Sequence, residues 1–111
     1  MDYEKLEEFK KILREADPQH LIKIGAPLDE YDHEALYLYE HISSQDTVTD
    51  IQKKIWDHFY DSFCTGTSYA KDGTYKKVIM SKEKAITHIG TVDTYKEIAE
   101  KIKKVIGNSY G

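Results

Sequence analysis

One cysteine, one arginine and two prolines are all that the 111 residues hold of three types that commonly punctuate a chain. The lone Cys64 excludes an intramolecular disulfide and fits a reducing compartment. No apolar run approaches the roughly 18 residues that a membrane span requires, which argues against a membrane partner. The opening Met1-Asp2-Tyr3-Glu4-Lys5 is polar and acidic, unlike a secretory signal peptide. Together these features predict a soluble, cytoplasmic protein. The six glycines are dispersed, and none precedes a Lys-Ser or Lys-Thr pair ahead of a helix, which excludes a phosphate-cradling loop. There is no internal repeat, low-complexity tract or linker long enough to separate one folding unit from another. Residues 1–111 therefore read as a single helical domain with about one core's worth of burial.

What is present is ordinary in amount and uneven in distribution. A composition of 40% hydrophobic and 32% charged residues belongs to a globular chain. The net charge of −4 conceals two opposite halves, −8 over residues 1–64 and +4 over 65–111. Asp17 to Asp50 is the sharpest stretch, with eight carboxylates against Lys23 alone. Such a field attracts a basic partner and repels nucleic acid. The bland explanation of the same carboxylates is a solvated face plus helix N-termini.

Hydrophobic spacing predicts a mainly α fold, a compact four-helix domain with a small β-hairpin at about 75–92. Asp2 caps a first helix to about Ala16, with Tyr3, Leu6, Phe9 and Leu13 on one stripe. Asp17-Pro18 opens a short turn, and Pro27 ends it. Asp32 caps a second helix, about His33 to Ser43, with Ala35, Leu38, Tyr39 and Ile42 inward. Thr47 or Thr49 caps a third helix ending near Cys64, along which Ile51, Ile55, Phe59 and Phe63 recur. Gly66 stands where a left-handed C-terminal cap is wanted. Asp72-Gly73 is a turn signal, and Tyr75–Met80 with Ala85–Val92 are β-rich enough to pair around Ser81–Lys84. Ser81 capping a short helix through Thr87 remains the alternative. Thr94 with Glu97 forms a capping box for a last helix bearing Ile98, Ile102, Val105 and Ile106.

The segment Asp17-Pro18-Gln19-His20-Leu21-Ile22-Lys23-Ile24-Gly25-Ala26-Pro27-Leu28-Asp29-Glu30-Tyr31-Asp32-His33-Glu34 carries a resemblance. It resembles a family of small, uncharacterised, mainly bacterial proteins with Asp-Pro at one end and Gly-Ala-Pro-x-Asp-Glu-Tyr-Asp-x-Glu at the other. The similarity runs on weakly to Phe63, about half the chain. The resemblance implies a small helical domain of unknown function and brings no activity, cofactor or catalytic residue. Gly25 and Pro27 shape a tight connection, Tyr31 staples onto the next helix, and Asp29, Glu30 and Asp32 meet its positive end.

Chemical motifs are sparse. Glu30-Tyr31-Asp32-His33 has the Glu-x-x-His spacing of di-iron bundles, but such a site needs a second pair and two more glutamates. The nearest imitation, Asp17 to His20, falls in a proline-started turn, so no metal and no cofactor is expected. Cys64 reads as a structural thiol. Lys71 to Lys84, with Tyr69 and Tyr75, is the best stretch for nucleic acid, yet the acidic total and a lone Arg14 weigh against it. Lysines guarding a hairpin against edge pairing explain it equally. Glu40-His41 and Asp57-His58 read as surface neighbours.

Two functional readings follow. The first is a non-catalytic protein-binding module, immunity- or inhibitor-like by analogy of size and charge. Its partner-binding surface is Asp29, Glu30, Tyr31, Asp32, Glu34, Tyr37 and Glu40, and its partner is a basic protein. A homodimer joining the acidic half of one chain to the basic half of another is the competing outcome. The second reading is a small metal-dependent enzyme using His20, Glu30 and His33.

Overall fold

The computed structural model describes residues 2–27 and 29–107. Asp2 accepts from the Lys5 amide and opens helix α1, Tyr3–Ala16. Leu6, Phe9, Ile12 and Leu13 are its buried stripe. Tyr3, expected on that stripe, is instead 70% exposed. Asp17 ends α1 in the left-handed conformation (φ 44°), its amide bonded to the Leu13 carbonyl. Asp17-Pro18 opens a turn, as expected, and the Asp17 carboxylate reaches forward to the Ile22 and Lys23 amides.

Helix α2 is Asp32–His41. Its N-cap is Tyr31, with no side-chain cap, so Asp32 is the first helical residue and not the cap. Helix α3, Val48–Phe63, opens with a full capping box: Thr47 accepts from the Asp50 amide while Asp50 accepts from the Thr47 amide. Ile51, Ile55, Trp56 and Phe59 make α3 the central element. Cys64 caps its end, and Gly66 lies in a strand instead of serving as a left-handed cap.

The hairpin is present, one strand earlier than its expected place. Strands β1, Thr65–Tyr69, and β2, Tyr75–Ile79, pair antiparallel from Thr65↔Ile79 to Tyr69↔Tyr75. Asp72-Gly73 makes the turn, with Gly73 at φ 88° and Asp72 accepting from Thr74. The second expected strand, Ala85–Val92, is helix α4, Lys82–Ile89, capped by Ser81. Ala85 and Ile89, four residues apart, are buried on one face. Helical burial of that pair prevails over the β propensity of the segment.

A short 3-10 turn, Val92–Tyr95, leads into helix α5, Lys96–Gly107. The capping box there is Thr91 with Thr94, three residues ahead of the expected Thr94–Glu97 pair. Gly90 (φ 85°) precedes it, its carbonyl accepting from the Trp56 indole at 2.7 Å. A Cβ at Gly90 would fall 2.5 Å from Thr94 Oγ1 and 2.9 Å from Thr94 Cβ. Gly90→Ala is therefore expected to cost about 1–3 kcal/mol in urea unfolding, through backbone strain joined to collision. A change under about 0.5 kcal/mol would show that the turn relaxes freely.

The core gathers Phe9 and Leu13 of α1, Leu38 of α2, Ile51, Ile55 and Phe59 of α3, and Ile98 and Ile102 of α5. Leu6 and Ile42 complete the expected set, and all ten are buried. No helix among the described residues is long and apolar enough to cross a membrane. The principal extents are 57 × 27 × 26 Å.

Candidate functional site: the α2 face and its ring stack

The expected partner-binding residues separate into two groups. Tyr31 leaves the surface altogether. It is 1% exposed, donates to Asp17 Oδ1 at 2.7 Å, and accepts from the Gln19 amide at 3.0 Å. Burial and the bond to Asp17 both push its phenol well above the ordinary range. Asp17 also accepts from the Ile22 and Lys23 amides at 3.1 and 3.0 Å. Burial alone would raise the Asp17 carboxyl, but the bonds from Tyr31, Lys23 and Ile22 outweigh it and hold it below its usual value. Gln19 continues the chain of bonds to the Tyr95 hydroxyl at 3.0 Å, and Tyr95 donates to the Ile89 carbonyl. The Asp17–Tyr31 signature is thus a clasp that fixes the irregular segment against the core. Tyr31 cannot serve as a contact residue because a ring enclosed on every side has nothing to offer a partner.

Asp32 turns toward α1, where Lys10 lies 3.9 Å away. Asp29, Glu30 and Glu40 are exposed, and Glu34 is half-buried. Among the described residues, Glu34 Oε2 is enclosed without a hydrogen-bond partner. Burial pushes its carboxyl up, and Glu30 adds to this, while its own amide and His33 oppose.

Tyr37 is the centre of the face. Its ring stacks on His41 at 4.0 Å and 18°, and on His58 of α3 at 3.9 Å and 11°. Three rings thus form a column across the seam between α2 and α3, with Tyr37 in the middle and 38% exposed. His41 is oriented by Nδ1 against the Tyr37 carbonyl at 2.8 Å. Lys54 joins the same seam by donating to the His41 carbonyl at 2.8 Å and to Asp46 at 2.7 Å. Burial lowers the His58 pKa, His33 and His41 reinforce this, and Asp61 opposes it. Burial thus favours the neutral form of the His58 imidazole.

His41 and His58, expected to be plain surface neighbours, are the residues that hold Tyr37. The spacing of Tyr37 and His41, four apart on one helix, was a visible signal. His58 had none, because only the docking of α3 brings it there.

The pieces of the metal reading do not converge. Glu30 lies in the turn before α2 and His33 on its exposed first turn. His20 sits beyond them in a left-handed turn (φ 56°), beside a hollow of about 330 Å³ lined by Asp17, Thr94 and Lys101. No group of three His, Cys, Asp or Glu among the described residues could hold a metal ion. Cys64 is buried, which raises its thiol pKa. No family model, no curated protein and no solved structure matches the chain.

Proposed function

We propose that this chain is a non-catalytic, cytoplasmic binding module whose α2 face engages a basic protein, in the manner of small inhibitors and immunity proteins. The observation that carries the reading is the clamped Tyr37 ring. An exposed aromatic that is already immobilised loses little conformational freedom on binding, and such rings dominate interface energetics. Glu30 and Glu40, both exposed, give the face negative charge, which steers a basic partner and sets register. The metal-dependent alternative draws no support from the positions of His20, Glu30 and His33.

Affinity capture of partners at low and at physiological salt, followed by binding kinetics, tests the reading. Glu30→Lys with Glu40→Lys, both exposed, should slow association and flatten its salt dependence. Tyr37→Ala should speed dissociation, at a cost of about 1–3 kcal/mol. A partner that binds both variants with unchanged kinetics overturns the reading.

A further inference from the structure

The hairpin is the least supported part of the molecule. Apart from the partly covered Thr65 at its root, every residue of its two strands is exposed. Among the described residues it packs only on the end of α3. A two-stranded ribbon with two wet faces is marginal in water. Yet Tyr69 and Tyr75, a cross-strand pair with ring centroids 6.2 Å apart, are 75% and 74% exposed, and Val78 and Ile79 are also uncovered. Such a concentration of bare apolar surface marks a contact. Lys71, Lys76 and Lys77 make the ribbon basic, with Asp72 its one acid. Lysines on both sides of the turn disfavour addition of a further strand at the edges, so contact falls to the faces.

The complement is the acidic face of α2, with Glu30 and Glu40 exposed. Lys54 meets His41, and the next step along α3 puts His58 on Tyr37. The two helices are therefore antiparallel there. The lengths agree as well: five strand residues span about 17 Å and the ten residues of α2 about 15 Å.

We infer that the basic surface that covers the α2 face is the Tyr69/Tyr75 ribbon of a second copy of this chain, laid across that face in a reciprocal two-fold exchange of arms. This rests on the reading of α2 as a binding face and names its occupant. A two-fold pairing places each ribbon on the other's helix, so both surfaces are covered and the assembly closes. Lysine meets glutamate, and the tyrosine pair meets the Tyr37 column.

Sedimentation across a concentration and salt series tests this by charge exchange. Wild type should form a dimer that weakens as salt rises. Lys71→Glu with Lys77→Glu, the lysine at the turn and the one on the tyrosine face, and separately Glu30→Lys with Glu40→Lys, should each weaken self-association about a hundredfold or more, because like charges then face one another. Mixing the two variants should restore a one-to-one heterodimer, and a chain carrying all four changes should dimerise alone. Circular dichroism of each variant reports that the helices persist, and Tyr69→Ala with Tyr75→Ala supplies an uncharged route to the same loss. A wild type that stays monomeric at every salt, or variants that fail to recombine, overturn the inference. So does an oligothymidylate that binds wild-type monomer and is lost with Lys71→Glu and Lys77→Glu, which would assign the ribbon to nucleic acid. Monomeric wild type whose capture of another basic protein still depends on Tyr37 would sink the second-copy assignment while leaving the α2 face standing.

Discussion

Asp17→Ala is expected to lower unfolding stability by about 2–4 kcal/mol at neutral pH, since hydrogen bonds to a charged group are worth roughly 1.5–3 kcal/mol each and add imperfectly. Three donors converge on this carboxylate: the Tyr31 hydroxyl and the Ile22 and Lys23 amides. Removing it strands a phenol inside the protein, and the left-handed backbone of Asp17 suits alanine poorly. The loss should also carry a pH signature. The folded-state carboxyl titrates below its ordinary value, so its contribution is complete above about pH 4 and disappears as pH falls through the lower folded value. Urea melts should therefore show the wild type and variant converging in acid. Asp46, held down chiefly by its bond to Lys54, titrates in the same direction and remains in both proteins. The gap between the curves is thus the readout. Equal stability at neutral pH would mean that the clasp contributes nothing net.

Phe59→Ala should be costlier, about 3–5 kcal/mol, as for other large aromatics deleted from a packed centre. Phe59 is wholly buried and touches Phe63 at 5.5 Å and Tyr95 at 5.3 Å between ring centroids. Tyr95 is itself pinned by two hydrogen bonds and raised to about pKa 12 mainly by burial, so it cannot swing in to fill the space. A cavity that cannot collapse sits at the upper end of the range. Thermal and urea unfolding of Phe59→Ala measure this directly. Phe59→Leu, which retains most of the volume, should recover more than half of the loss.

Helices α1 and α3 were legible because two local signals agreed at each of them. Asp2 before Leu6 and Phe9, and Thr47 before Ile51 and Ile55, combine a cap with a 3.6-residue period, and both helices start as expected. At α5 the stripe held and the cap shifted. Thr94 and Glu97 have the spacing of a capping box, but Thr91 and Thr94 have the same reach and are nearer the Gly90 turn. Residues 64–92 misled because Thr, Tyr, Val and Ile are shared between strands and short buried helices. Ser81 decides for the helix through a bond to the Lys84 amide, and Ala85 and Ile89 then find the core. The face of α2 was legible in charge but not in burial. Tyr31 was drawn inside by Asp17, fourteen residues away, a pairing that no local period encodes. His58 entered the site from another helix, and sequence spacing carries no record of that approach.

The Cys64 carbonyl accepts from the Met80 amide at 2.8 Å, so the arm between them, residues 65–79, leaves and rejoins the body at a single point. The arm is in this sense an appendage rather than a segment of the frame. A connector of a few residues could bridge the same gap, and shortening a closed loop lowers the entropy lost in closing it. The helical body and the arm can therefore change at different rates over a lineage. Arm length and decoration are open to variation without a compensating change in the packing of α1, α2, α3 and α5, so what the molecule meets can be altered while what it is made of stays the same.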